Sequence, residues 1–325
     1  MYQHLNTCQP HLSISVSGHP DQCNQTKTMK CFIYPILFPL LLILANALDP
    51  PLQTLPYSNL TLLGAHDSPF IGPHLTQNQN LNVTAQLDLG IRFLQGQAHR
   101  APDDENRLQL CHTNCVLEDG GSLVDFLRIV GGWLEGNPGE VVTLLLTNGD
   151  RVGVEMFGGV FGEAGLDGLV FVPGGSGGGN GVLPMNEWPS VQEMVDMGKR
   201  LVVFLDYGAN PSSIPYILDE FAYFFETPFG ETNPSFPNCS IDRPPGATAD
   251  NRMYIVNHFL NVEILGIKVP DRIRAARTNA VHGNGSIGAQ AELCEGLHGR
   301  GPNVVLVDFV DQGEVIEAQR VLNGL

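Results

Sequence analysis

At 325 residues the chain is long enough for one large domain or barrel, and 34 acidic against 17 basic side chains give it a formal charge of −17. It has no basic stripe to neutralise phosphates, which argues against a nucleic-acid partner. The same acidity disfavours loose electrostatic docking onto anionic membranes and fits solubility in an extracellular setting.

Residues 1–28 show no convincing apolar periodicity and read as an unstructured upstream extension. From Met29 the chain presents one basic residue (Lys30), an apolar core and a closing Ala45-Asn-Ala47. Those are the three parts of a secretory signal peptide, so 29–47 is read as one, cleaved after Ala47. A membrane anchor fits less well, because the apolar part runs only over 32–45 with two prolines inside. A spanning helix needs roughly 20 apolar residues. The expected product is a secreted domain, 48–325; losing Lys27, Lys30 and Asp21, a net +1, takes its charge from −17 to −18. No serine-rich stalk or apolar tail closes the chain, so no C-terminal lipid anchor is expected.

Apolar runs at 60–64, 91–95, 108–111, 141–146, 201–205, 223–226, 253–256 and 304–307 read as strands. Most are continuous rather than alternating, as in parallel strands buried on both faces. Helical patterns lie between or after them at 123–134, 191–198, 213–221 and 313–322. Eight strands with intervening helices predict an irregular (β/α)8 TIM barrel in a single domain. An open doubly wound sheet is the alternative, but no Gly-x-Gly-x-x-Gly turn follows the first strand. The glycine-rich run 173–181 reads as a flexible surface loop.

Four cysteines lie in the secreted part: Cys111, Cys115, Cys239 and Cys294. An even number in an oxidising compartment reads as disulfides, with three connectivities possible. The close spacing of the first two favours Cys111–Cys115 and Cys239–Cys294. The order Cys111-His-Thr-Asn-Cys115 lacks the features of a haem or zinc site. Sequons at Asn59, Asn82, Asn238 and Asn284 are compatible with glycosylation.

In a barrel the residues just beyond each strand converge on one face. That rule collects His66 and Asp67, then Gln95 and Gln97, His112, Thr147, Asn148 and Asp150, Asp206 and Tyr207, Asn257 and His258, and Asp308. Two histidines with an acid are what a general base and general acid require. Asp308 would hold one imidazole in the right tautomer. Each histidine taken alone reads more readily as a hydrogen-bonded barrel residue; the two together at strand ends do not.

The order Gly-Ala-His66-Asp67-Ser, Gln86-Leu-Asp-Leu-Gly-Ile-Arg-Phe-Leu94, Leu110-Cys-His112 and Asn137-Pro-Gly-Glu-Val-Val-Thr143 resembles the phosphatidylinositol-specific phospholipase C X-domain superfamily. Leu201-Val-Val-Phe-Leu-Asp206 and Val304-Val-Leu-Val-Asp308 extend the match, which is strongest to secreted fungal phospholipase C-like phosphodiesterases. The resemblance implies an irregular TIM barrel in which the substrate's own inositol hydroxyl attacks phosphorus and the diacylglycerol oxygen leaves. It implies His66 as general base, His112 as general acid, Asp308 as the orienting acid and Asp67 beside the phosphate. The strand-end rule, not the resemblance, is what sets Gln95, Gln97, Asp206, Tyr207 and Asn257 facing the substrate.

At strand two the sequence departs from the family, whose members carry two acids there or an Asp and an Arg. Here Gln95 and Gln97 stand instead, and neutral amides bind calcium less well than carboxylates and cannot neutralise a phosphorane. No cofactor is expected; calcium would have to bind without its usual acidic ligands. Two functions follow: a secreted phosphodiesterase acting on a phospholipid or related head group, or an impaired barrel that binds a sugar or lipid head group. A glycosidase barrel using Asp206 and Asp308 has no motif behind it. A monomer is expected.

Overall fold

Short strands apolar on both faces build the frame of the molecule, a computed structural model that describes residues 48–174 and 181–325. The segments expected as upstream extension (1–28) and signal peptide (29–47), and most of the glycine-rich run 173–181, lie outside the described residues. The strands are β1 (Leu62–Ala65), β2 (Phe93–Ala101), β3 (Asp104–Cys111), β4 (Asp119–Ser122), β5 (Val142–Asn148) and β6 (Leu201–Leu205). They continue with β7 (Ile217–Asp219), β8 (Phe224–Glu226), β9 (Met253–Asn257), a separate hairpin of β10 (Asn261–Ile264) and β11 (Ile267–Pro270), and β12 (Val304–Val307).

Eight of these strands curl in the order β7-β6-β5-β2-β1-β12-β9-β8, and every neighbouring pair is parallel. Around the curl they follow chain order, as in a TIM barrel, and the barrel is open between β7 and β8. The expected fold class holds, with two corrections to the strands. The run at 108–111 is not a barrel strand: it ends β3, which returns antiparallel along β2 after only Pro102 and Asp103. A two-residue connection cannot make a parallel crossover. The helix expected at 213–221 is instead a turn, the missed barrel strand β7, and a single helical turn at Glu220–Tyr223. Apolar content alone does not separate these cases.

Residues i and i+2 of a strand share a face. Inside the barrel this sets an apolar layer of Phe93, Leu145, Phe204, Leu218, Phe224, Ile255 and Leu306, all buried together. Two residues further along each strand the same face carries Gln95, Thr147, Asp206, Glu220, Glu226, Asn257 and Asp308. The apolar floor therefore positions a polar rim, and in β1 Leu62 leads by the same step through Gly64 to His66. Gly64 is needed there, since a Cβ would stand 2.7 Å from Leu306 and 3.0 Å from Phe93. Helices Leu123–Gly136, Val154–Glu163, Ile287–His298 and Val315–Leu322 cover the outside.

Two disulfides are present, Cys111–Cys115 and Cys239–Cys294. The second closes a separation of 55 residues and ties the long β8–β9 loop to helix Ile287–His298. A loop of that length corresponds to about 4 kcal/mol of unfolded-state entropy. The double substitution Cys239→Ser/Cys294→Ser is therefore expected to lower stability by about that amount in urea unfolding. An unchanged midpoint would contradict this account.

Candidate active site

A cavity of about 240 Å³ opens at the C-terminal ends of the strands, lined among others by His66, Gln95, Gln97, Asp206, Glu226, Arg243 and Asn257. Strand β1 delivers His66 to one side. Its Nδ1 is 2.8 Å from Asp308 Oδ1, and its ring stacks on Phe259 with centroids 3.6 Å apart. His112 follows β3, whose return along β2 brings it to the same place. Its Nδ1 lies 2.9 Å from the Thr76 carbonyl, an acceptor, so that nitrogen carries the proton.

Both histidines turn Nε2 toward one atom, and each Nε2 lies 3.5 Å from Asp67 Oδ2. Asp67 is buried, and its Oδ1 has no partner among the described residues; the same is true of Asp308 Oδ2. Gln97 donates to Asp67 Oδ2 at 2.9 Å and accepts from the Thr113 amide, linking the turn after His66 to the turn after His112. Gln95 Oε1 accepts from the Asp67 amide at 2.7 Å. Burial opposes protonation of His66, but Asp67 and Asp308 outweigh it and raise its pKa above the usual histidine value.

Backbone strain marks the same three places. The residues directly after His66, His112 and Asp308 are Asp67, Thr113 and Phe309, with φ of 46°, 66° and 50°. Non-glycine residues rarely adopt left-handed φ, and at a β-branched threonine it is a true outlier. Each turn bends the chain sharply just past a strand; of the three preceding side chains His66 lines the cavity, while His112 and Asp308 stand against Asp67 and His66.

The opposite wall is carboxyl-rich. Glu226 accepts from Arg243 and, at 2.9 Å, from Asn257. Burial raises Glu220 well above the carboxylate range, and its neighbour Glu226 adds to this. Glu226 is also buried, yet the hydrogen bond from Glu220 and the Arg243 guanidinium hold it low. Glu220 thus carries the proton of this pair. Burial likewise raises Asp206, against the hydrogen bond from the Asn148 amide.

The sequence-derived residues sort clearly. His66, Gln95, Gln97, Asp206 and Asn257 line the cavity, and Asp67, His112 and Asp308, which do not line it, cluster around His66 and Gln97. Tyr207 is not among the lining residues; alternation turns it off the inner face, where Arg151 sits 3.6 Å above its ring. His258 is buried and bonded through both nitrogens, to Gln290 and the Thr278 carbonyl. His99 pairs with Asp150, and Arg100 donates to the Glu105 carbonyl across the β2–β3 turn. Sequence reasoning missed Glu226, although the rule of strand ends applied to 223–226 points to it. It also missed Arg243 and Asn78, which lie in loops without a local signal; Asn78 donates to Asp308 Oδ1 at 2.9 Å.

The strand-two residues do not fit calcium. Gln97 turns its NH2 toward Asp67, and the Gln95 oxygen already accepts from a backbone amide. Calcium takes six to eight oxygen ligands, usually including several carboxylates. Among the described residues no cluster of His, Cys, Asp or Glu is arranged to hold a metal.

The PI-PLC X 1 family model matches residues 53–323. A PI-PLC X domain-containing protein 1 of Arthroderma benhamiae is 49% identical over 270 residues, covering 83% of this chain and 86% of the relative. An uncharacterized secreted protein of the same fungus is 44% identical over 267 residues, 80% of this chain and 58% of its own length. Among solved structures, the phosphatidylinositol-specific phospholipase C of Listeria monocytogenes has a TM-score of 0.53 at 14% identity, over 84% of this chain and 96% of that one. That structural likeness bears on the fold alone. With a family model spanning nearly the whole of the described barrel, the chain belongs to the PI-PLC X domain family.

Proposed function

We propose that the protein is a secreted phosphoric diester hydrolase of phospholipase C type, acting on an inositol phospholipid or related phosphodiester. The observation that carries this reading is the convergence of two imidazole Nε2 atoms on one buried carboxylate oxygen, each 3.5 Å away. Secretion is supported by the secreted fungal relative and by two disulfides.

In the reaction His66 starts neutral, its Nδ1–H donated to Asp308, with the Nε2 lone pair facing the cavity. A substrate hydroxyl adjacent to the phosphate gives its proton to Nε2 as its oxygen attacks phosphorus. His112 starts protonated, and its Nε2–H passes to the leaving alcohol oxygen as the bond from phosphorus breaks. A cyclic phosphodiester and an alcohol result, and water can reverse the two proton roles to open the ring. Asp67 stabilises whichever imidazole is charged. Asp206, Glu226, Asn257 and Arg243 offer acceptors and donors to ring hydroxyls across the cavity. With neutral Gln95 and Gln97 beside the phosphate, charge stabilisation falls to the protonated histidine, so turnover should be slow.

Cleavage of phosphatidylinositol by the purified protein is the test. Turnover is expected at the same rate with calcium as with chelator, because no step passes through a metal. A calcium requirement would overturn the metal-free mechanism. No cleavage in either condition would favour a head-group binding module, the reading to which the Gln97–Asp67 lock lends support.

A further inference from the structure

We propose that the Cys111–Cys115 disulfide is a positioning clamp for His112, holding the backbone from which the imidazole reaches the reacting atoms. The inference rests on the two-histidine reading above. The two disulfides differ in what they can do. Cys239–Cys294 closes a separation of 55 residues, whereas Cys111–Cys115 closes one of 4, with His112, Thr113 and Asn114 inside the ring. The unfolded-state entropy that a cross-link removes grows with the length of the loop it closes. The shorter ring therefore contributes the less to overall stability. What it confines is the chain on both sides of His112.

The turn inside the ring has no apolar packing to hold it. Thr113 and Asn114 are exposed, as are Val116 at 96% and Leu117 at 49% just beyond. The backbone there is also strained: the Asn114 amide donates to the His112 carbonyl at 2.7 Å across Thr113, whose φ is 66°. A three-residue turn with left-handed φ is rare, and a β-branched residue resists it. Such a turn persists where its surroundings over-determine it. One end is anchored by Cys111, the buried last residue of β3, and Cys115 ties the other end back to it. The same turn joins the two halves of the site. The Thr113 amide donates to Gln97 Oε1 at 3.0 Å, and Gln97 donates to Asp67 Oδ2, the oxygen that both imidazoles face. The His112 ring is held by the Thr76 carbonyl and lies over Phe70, centroids 5.3 Å apart. Those contacts fix the ring, and the disulfide fixes the main chain beneath it. With the disulfide opened, Thr113 can relax to negative φ. That rotates the peptide planes on either side of it, so the hydrogen bond to Gln97 and the approach of His112 to Asp67 loosen together.

The experiment compares the purified protein with Cys111→Ala/Cys115→Ala, each with and without His112→Ala, in phosphatidylinositol cleavage and by imidazole nitrogen NMR. Loss of the disulfide is expected to lower kcat roughly ten- to a hundredfold with KM little changed, as when a reacting group is misplaced by about an ångström. Melting temperature should fall less than in Cys239→Ser/Cys294→Ser, which in turn should keep its kcat below its own unfolding transition. In the His112→Ala background the two alanines should cost nothing further, because a positioning group acts through the residue it positions. The NMR spectrum should show His112 as the Nδ1–H tautomer in the wild type and as a mixture in the variant. An unchanged kcat in an active protein overturns the proposal, as does an equal loss in the His112→Ala background, which would mean general loosening. In a protein that cleaves nothing, the tautomer decides. A His112 tautomer that depends on the disulfide would then sustain the clamp and refute the hydrolase, and one that does not would refute both.

Discussion

Alanine in place of His66 or His112 is expected to slow phosphodiester cleavage by roughly 10²- to 10⁴-fold, the usual worth of a positioned acid or base. The double variant should be little slower than either single one, because the two act on one proton circuit. Neither side chain is part of the packed core, so melting temperature should change little. The pH dependence supplies the sign. His66 must be neutral to accept the hydroxyl proton, so the rate falls as pH drops through its pKa. Burial opposes protonation, but Asp67 and Asp308 outweigh it and raise that pKa, which sets the acid limb above the ordinary histidine range. Asp308→Asn removes one of these charges and should move the acid limb to lower pH, along with a reduced maximum. Full activity in His66→Ala, or an acid limb that does not move in Asp308→Asn, would rule out His66 as the base.

The largest loss of stability is expected at the other end of the barrel. Arg92, just before β2, is among the largest fully buried side chains, and its Nε lies 2.7 Å from Glu140 Oε2. Its Nη1 donates to the carbonyls of Leu87 and Ile91, and the guanidinium lies 4.6 Å from the Trp133 ring centre. Arg92→Met would strand the Glu140 carboxylate in the interior and leave two carbonyls short of a donor. Removing one member of such a pair costs about 3–5 kcal/mol. In chemical denaturation the midpoint should drop by that equivalent with an unchanged slope. Arg92→Met combined with Glu140→Leu should recover much of the loss, because the desolvated charge is gone. A single variant within about 1 kcal/mol of wild type would refute the account.

Much of this protein was legible from local pattern. Strand interiors such as 201–205 and 304–307 are apolar on both faces, and a parallel sheet covered by helices is what buries both. The pairing of Cys239 with Cys294 followed once the short-range pair was set aside. His66, Asp206, Asn257 and Asp308 were found because they stand at or just past strand ends, where the period-two step from an apolar floor residue turns a side chain into the barrel, and Asp67 because it directly follows His66. Other features depended on contacts that no local window contains. Whether the run at 108–111 enters the barrel or returns along β2 depends on which strand it pairs with, not on its apolar content, although the two-residue gap at Pro102 hints at it. The Ile217–Asp219 strand is too short for periodicity to separate it from a helical turn. Arg243 and Asn78 reach the site from loops, where neither spacing nor composition encodes direction. The state of each titrating group was also decided in three dimensions, since burial and neighbouring charge set it. By itself, then, the sequence determined the parallel barrel frame and the polar residues His66, Asp206, Asn257 and Asp308 at its strand ends, because both follow from short-range periodicity. Tertiary structure decided the antiparallel arm that delivers His112, because strand pairing rather than apolar content sets its direction, and the carboxyl and guanidinium wall, because Glu226, Arg243 and Asn257 reach it from separate segments.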